Sequence, residues 1–402
     1  MAAGSCTLGS TKHCQVHNHH LSLVGQQPVI SRSLRLLERP QHELTPPSSR
    51  RAFAWSKVRY RTTARSLPEA RGVCPGLGKS KKPALVVSHV QSDGDTEWLT
   101  GSDLAKKYHL CIYDVDGSDD TAASATLRTP SNRAHEAMAY LTFLIDNYDS
   151  LPSSGAVFVH GSRWAWHNDA PDYDNAYLLT QLDVDRALEP AGYHNLRCDW
   201  SVSTCSADTP PQGSLQMAFQ SKIDPWDARA ASDAALPGAL ATIFGHNDPA
   251  GTVMLSRHEA LRSQCCAQFV VSQERMWSHD RDEYVALRQW LLDGADASTA
   301  GSSSRIIRGQ GVAPKDDRVA GRIISYIWHI LFLDVTGSSG SDAADAMDLD
   351  VLNRAACPSA QDCYCRLYGR CDLQCRSPGS CAGQYTIPPG YKVPGHGRKD
   401  PA

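Results

Sequence analysis

The sequence predicts an α/β domain, a mostly parallel sheet with covering helices, followed by a small Cys-rich C-terminal module. Two observations carry that expectation. Short apolar, β-branched runs alternate with amphipathic stretches, the pattern of parallel strands joined by helical crossovers. Six of the 14 cysteines fall between Cys357 and Cys381. Charge then narrows the function: residues 1–83 hold 14 Lys+Arg and 3 Asp+Glu, against 26 and 40 in the remainder of the 402-residue chain. An acidic body behind a basic front argues against a nucleic-acid partner, because phosphates need a basic face.

The elements follow in order. Ala84 to Val90 is a β-branched run after Gly, Lys and Pro punctuation and reads as the first strand. A short helical stretch from Glu97 to Lys107 leads to a second strand, Tyr108 to Val115, which ends among Asp114 and Asp116. Ala137, Leu141, Leu144, Ile145 and Tyr148 fall on one helical face, with Glu136 in the first turn, where the helix dipole favours an anion. Gly155 to His160 is the third strand and Gln268 to Val271 another buried one. Helices are expected around Asp282 to Leu292 and from Val319 to Phe332. In outline this is a Rossmann-like or glycosyltransferase-A-like sheet. The expected organisation is a basic, unstructured segment 1–82, the α/β domain 83–335, a linker 336–356, the Cys-rich module 357–389 and a tail 390–402.

A loop-rich segment with so few apolar residues needs cross-links to order it. The spacings between its cysteines do not suit zinc, so disulfides are expected. Cys198 and Cys205 are placed to close a small loop on each other. Cys265 and Cys266 are adjacent and are expected to stay unbridged, and Cys111 is expected to be buried and inert. Disulfides imply the secretory pathway or the extracellular space, with a cytoplasmic chain as the alternative. No apolar signal segment opens the sequence and no run reaches the length of a membrane span, so no transmembrane segment is expected. The cluster His13, His17, His19 and His20 reads as a solvated tail.

Ligands of doubly wound sheets bind beyond the carboxyl ends of the strands. Three groups of polar residues stand there: Ser88, His89, Asp93, Asp95 and Glu97 after the first strand, Asp114 and Asp116 after the second, and His160, Arg163, His167, Asn168 and Asp169 after the third. Asp-x-Asp occurs six times in the chain, so position rather than pattern singles out Asp114 and Asp116 as ligands for Mn²⁺ or Mg²⁺. His160, His167 and Asp169 are the expected catalytic residues. Imidazoles exchange protons near neutrality, and a carboxylate two residues on can orient one of them. Trp164 and Trp166 can stack on a flat ligand, and Arg133, His135 and Glu136 at the helix start suggest an anion site.

Asp95-Thr-Glu-Trp-Leu99, Asn132-Arg-Ala-His-Glu-Ala137, Tyr140 to Asp149, Trp166-His-Asn-Asp169, Cys265-Cys-Ala-Gln-Phe269, Arg288 to Leu292 and the Cys357-Pro-Ser tail resemble a fungal family, the proteins with domain of unknown function 3431. The resemblance covers roughly residues 83–389 and implies no established reaction. Its relatives commonly carry Gly where this chain has Ala134. Asp95, Trp98, Asn132, Arg133, Glu136, Arg163, Trp166 and Asn168 are the expected ligand contacts. The expected function is that of a glycosyltransferase-like domain acting on a sugar or sugar nucleotide. The alternative is a non-catalytic carbohydrate-binding or wall-associated protein, and in both cases the partner is a small molecule or glycan.

Overall fold

A computed structural model of the chain describes residues 57–62, 64–101, 103–117, 127–245, 261–296, 311–333 and 348–387. The His cluster, most of the expected linker and the tail lie outside the described residues. Six strands form the main sheet: β1 (Ala84–His89), β2 (His109–Asp114), β3 (Leu127–Arg128), β4 (Ala156–His160), β5 (Tyr193–Asn195) and β6 (Phe269–Val271). Their order is β3-β2-β1-β4-β6-β5. The first four pair in parallel, whereas β6 runs antiparallel to both β4 and β5. The sheet is therefore mostly parallel, as expected, but departs from the uniformly parallel 3-2-1-4-5-6 order of dinucleotide-binding sheets.

Alternation along the strands builds two cores. Ala84, Val86, Cys111, Phe158 and Phe269 face one side and pack with the buried side of helix Glu136–Asp146 and with helices Arg281–Asp296, Asp317–Ser325 and Trp328–Phe332. Leu85, Val87, Val157, Val159 and Val270 face the other side, against Leu99, Leu104, Leu178, Leu179, Tyr364 and Leu367. The helix expected from Val319 to Phe332 is two helices with a break at Tyr326 and Ile327, and the stretch Glu97 to Lys107 is likewise split into Glu97–Thr100 and Leu104–Lys107.

The cysteines correct the expected organisation. Cys198 and Cys205 do not join each other; they bridge to Cys363 and Cys357. Only Cys365–Cys371 and Cys375–Cys381 close within the C-terminal segment, the latter pinning the hairpin of β7 (Gln374–Ser377) and β8 (Ser380–Ala382). Helix Ala360–Tyr368 buries Cys363, Tyr364 and Leu367 in the second core, so the segment from residue 357 is packed as part of the body rather than set off from it. Cys111, expected to be inert, bridges to Cys74. That bridge, with the burial of Tyr60 and Leu77 and the Tyr60 hydroxyl donating to Asp293 at 2.6 Å, places residues 57–82 against the body rather than in an unstructured front. No helix among the described residues is long and apolar enough to cross a membrane.

Candidate functional site

In this sheet the chain runs outward from β1 to β2 and β3, then returns to the other side of β1 with β4. The switch point therefore lies at the carboxyl ends of β1 and β4, where ligand crevices of such sheets open. Gly161 lets the exit of β4 cross β1 there: a Cβ at this position would sit 2.8 Å from the His89 Cα and 2.9 Å from the Ser88 carbonyl oxygen. Because β6 is antiparallel, its start lies at this same end of β4. The loop Cys265–Ala267 is thereby delivered beside His160.

A cavity of about 300 Å³ opens here. His160, Trp166 and His167 come from the end of β4 and its loop, and His135 and Glu136 from the start of helix Glu136–Asp146. Arg229 comes from helix Ala228–Phe244, Arg318 and Arg322 from helix Asp317–Ser325, and Cys265 and Cys266 from the approach to β6. The His160 Nε2 lies 2.7 Å from the Cys266 carbonyl oxygen. A carbonyl only accepts, so Nε2 carries the proton and Nδ1 is the basic atom of the neutral ring. Nδ1 faces the Glu136 Oε2 at 3.9 Å. Both atoms accept, so a hydroxyl entering that gap gives its one proton to Nδ1 or to Glu136 and not to both.

The His167 ring packs on His160 with centroids 4.3 Å apart. Burial, then His160 and Arg197, push its pKa down to about 3, so it stays neutral at physiological pH. Its Nε2 is buried and has no hydrogen-bond partner. On the opposite wall, Arg318 pairs with Asp316 and Arg229 approaches Asp233 at 3.8 Å. The Asp233 carboxyl is itself pushed up to about 6 by burial, partly offset by Arg229. Arg322 is the third arginine of this wall, and among the described residues Glu136 is the one acidic side chain in the lining.

Of the expected site residues, the cavity gathers His160, His167, Glu136 and Trp166. It does not gather Asp169, whose carboxylate accepts from the Cys198 and Asp199 amides and from the Tyr364 and Tyr385 hydroxyls, leaving nothing for catalysis. Arg163 forks onto Asp174 and stacks on Trp164. Asn168 is buried and tied to the Arg163 and Tyr173 carbonyls and to Gln268. Arg133 turns inward to the Pro314 and Lys315 carbonyls and to Asp317, which also caps the Ala134 amide where an outside anion was expected. Trp98 is buried in the second core, Asp95 caps the Glu97 amide, and Asn132 is exposed outside the cavity lining.

Asp114 and Asp116 share the rim with His160, across β1, but not its cavity. Asp114 pairs with Arg128 at 3.3 Å and accepts from the Gly117 amide, while Asp116 accepts from the Gln91 amide. Asp114 is engaged through both oxygens and Asp116 through Oδ1 alone, and neither falls in a compact metal-ligating group among the described residues. Among the described residues the one compact group of metal-ligating types is Cys74, His109 and Cys111, whose two sulfurs are joined to each other.

Sequence reasoning missed the three arginines and the bridged pair Cys265–Cys266, expected to stay open. The available signals were Arg318 and Arg322 one helical turn apart and the adjacency of two cysteines. No curated protein and no solved structure matches this chain. Three of the segments that carry the family resemblance, Asn132 to Ala137, Trp166 to Asp169 and Cys265 to Phe269, converge on this cavity or its immediate support. The model of the family described as protein of unknown function (DUF3431) matches residues 85–366, and the chain belongs to that family.

Proposed function

We propose that this domain is a transferase-like enzyme of the secretory pathway or extracellular space that acts on a sugar carrying an anionic group, a sugar nucleotide foremost. One observation carries the reading: His160 and Glu136 meet across 3.9 Å inside a cavity at the sheet's switch point, opposite an arginine wall. The arginines, rather than Asp114 and Asp116, are the groups placed to meet a phosphate or carboxylate. His160 Nδ1 then takes the proton of an acceptor hydroxyl, and Glu136 stabilises the imidazolium that forms. His167 remains neutral and supplies packing and one hydrogen-bonding nitrogen. The glycosyltransferase-A-like form of the sheet is part of the proposal, supported by the parallel core with one reversed strand. The six disulfides are compatible with an oxidising compartment.

The test is protection from heat by a panel of nucleotide sugars and free sugars, followed by a turnover assay on the binders. His160→Ala and Glu136→Gln should abolish transfer while leaving protection within about twofold, and Arg322→Ala should weaken protection about tenfold. Binding of neutral sugars with no preference for the anionic forms overturns the reading. Trp166, 62% exposed at the cavity mouth, favours a second one, a non-catalytic carbohydrate-binding protein. That reading predicts glycan binding lost in Trp166→Ala and unchanged in His160→Ala.

A further inference from the structure

Two adjacent residues beside His160, Cys266 at φ 86° and Ala267 at φ 46°, have positive φ although neither is glycine. Such backbone persists only where its surroundings over-determine it. The bond between Cys265 and Cys266 closes a small ring through their own peptide, which constrains φ of Cys266, while Ala267 lies outside it. Both carbonyls of the pair are engaged, Cys265 by the Asn195 side-chain amide at 3.1 Å and Cys266 by His160 Nε2 at 2.7 Å. The other groups facing His160 are Glu136 at Nδ1, the His167 ring, and the Gln268 side-chain oxygen on its backbone amide. None of these sets which nitrogen holds the proton while the ring is neutral; the Cys266 carbonyl does.

We propose that the Cys265–Cys266 disulfide is a positioning device for His160. It holds the Cys266 carbonyl against Nε2–H and so aims the unprotonated Nδ1 at Glu136 and the cavity. A dithiol reductant can cancel that arrangement: the S–S bond breaks, two Cys thiols form, and the reductant leaves as its own cyclic disulfide. The pair is reachable, since Cys265 and Cys266 are half-buried in the cavity wall; Cys365 is also half-buried and its partner Cys371 exposed, while Cys74–Cys111 and Cys198–Cys363 are buried. The effect on turnover rests on the proposed function, whereas the effect on His160 does not.

The experiment uses the full oxidised chain with ¹⁵N-labelled histidine and reads exchange of the His160 Nε2–H proton with water. A second readout is the rate at which diethyl pyrocarbonate acylates His160, followed by mass spectrometry. Cys265→Ser/Cys266→Ser should speed both by about tenfold, the loss of one well-made hydrogen bond, with the other five bridges intact by mass. Wild-type protein treated with dithiothreitol until this pair has opened with both buried bridges still closed should match the variant, a Cys365→Ser/Cys371→Ser chain controls for the exposed bridge, and the treated protein decides the matter if the variant does not fold. Unchanged exchange and acylation in a folded, bridge-less protein overturns the proposal, as does opening of the buried bridges ahead of this one. No sugar enters the measurement, so failure of the proposed function and failure of this inference are read separately.

Discussion

Asp169 is the sharpest place to separate catalysis from architecture, because the sequence offers it as a catalytic carboxylate and the structure uses it as a clamp. Its Oδ2 accepts from the Cys198 and Asp199 amides at 2.6 and 3.1 Å, and its Oδ1 from the Tyr364 and Tyr385 hydroxyls at 3.0 and 2.7 Å. Burial, with the Asp169 charge adding to it, pushes both phenols far up, so they remain donors. In Asp169→Ala the two amides and the Tyr364 hydroxyl are stranded inside, while Tyr385, 38% exposed, can rehydrate. Three orphaned donors at about 1–3 kcal/mol each, reduced by relaxation and entry of water, give a loss of about 4 kcal/mol. Asp169→Asn keeps an oxygen for the amides, and the tyrosine hydroxyls can turn to accept from its NH₂, so about 1–2 kcal/mol is expected. Urea unfolding at neutral pH, read as midpoint and slope, measures both. A well-folded Asp169→Ala chain within about 1 kcal/mol of wild type would refute the clamp, and loss of ligand in that same stable chain would return Asp169 to the site.

Three further perturbations follow from the same geometry. Burial holds His167, His194 and His329 down at about 3, 4 and 3, so their contribution is present above pH 6.5 and lost as pH falls through 6.5 toward 4; Asp233, raised to about 6, has the opposite sign. Net uptake by the unfolded chain of about two protons there costs roughly 3 kcal/mol per pH unit between pH 6 and 4, and a urea midpoint that stays flat from pH 7 to 5 would contradict it. Cys198–Cys363 and Cys205–Cys357 tie the same two regions, so with one intact the other closes a loop of only about 13 residues; on chain entropy each single removal costs about 3 kcal/mol and the double removal about 8, whereas strict additivity in a double-mutant cycle would show the two bridges to be independent. Gly161→Ala should destabilise by about 1–3 kcal/mol, because its Cβ would meet the Ser88 carbonyl and the His89 Cα below 3 Å; an unchanged melting temperature would mean that β4 does not cross β1 so closely.

The strands and helices with a strong period are legible in the sequence, and the elements that escape it do so for identifiable reasons. β1 and β4 are six and five residues of mostly buried β-branched and apolar side chains and announce themselves, and β2, His-Leu-Cys-Ile-Tyr-Asp, is half-buried but still carries an apolar run. β3 is two residues long and β5 is Tyr-His-Asn, too short and too polar for any period to show. Helix Ala228–Phe244 is Ala-rich with Pro237 inside it, which removes both the apolar stripe and the expected continuity. At the site, strand-end reasoning finds His160 and the Trp166–His167 loop, since position on a parallel sheet fixes which rim a residue reaches. It cannot tell Asp169 from a catalytic carboxylate, because what neutralises that residue is Tyr364, 195 positions away. Cysteine spacing likewise detects cross-linking but not connectivity, and the pairing that matters most to the cavity is the one that adjacency seemed to forbid.

Backbone cost is concentrated where the cavity is built. Six described non-glycine residues have positive φ, and four of them, Ala134, His135, Cys266 and Ala267, flank Glu136 and His160 from two different elements. Each pair is held from outside its own segment or by a covalent ring: the Asp317 carboxylate takes the Ala134 amide at 2.6 Å, and the disulfide fixes Cys266. Gly321 permits the first arrangement, since a Cβ there would lie 2.8 Å from the His135 ring and 3.0 Å from the Ala134 carbonyl oxygen. Glycine would relax both turns. Two strained turns, one leading into Glu136 and the other placing the Cys266 carbonyl on His160 at the end of β4, are each locked by a separate device and together fix the geometry between those side chains.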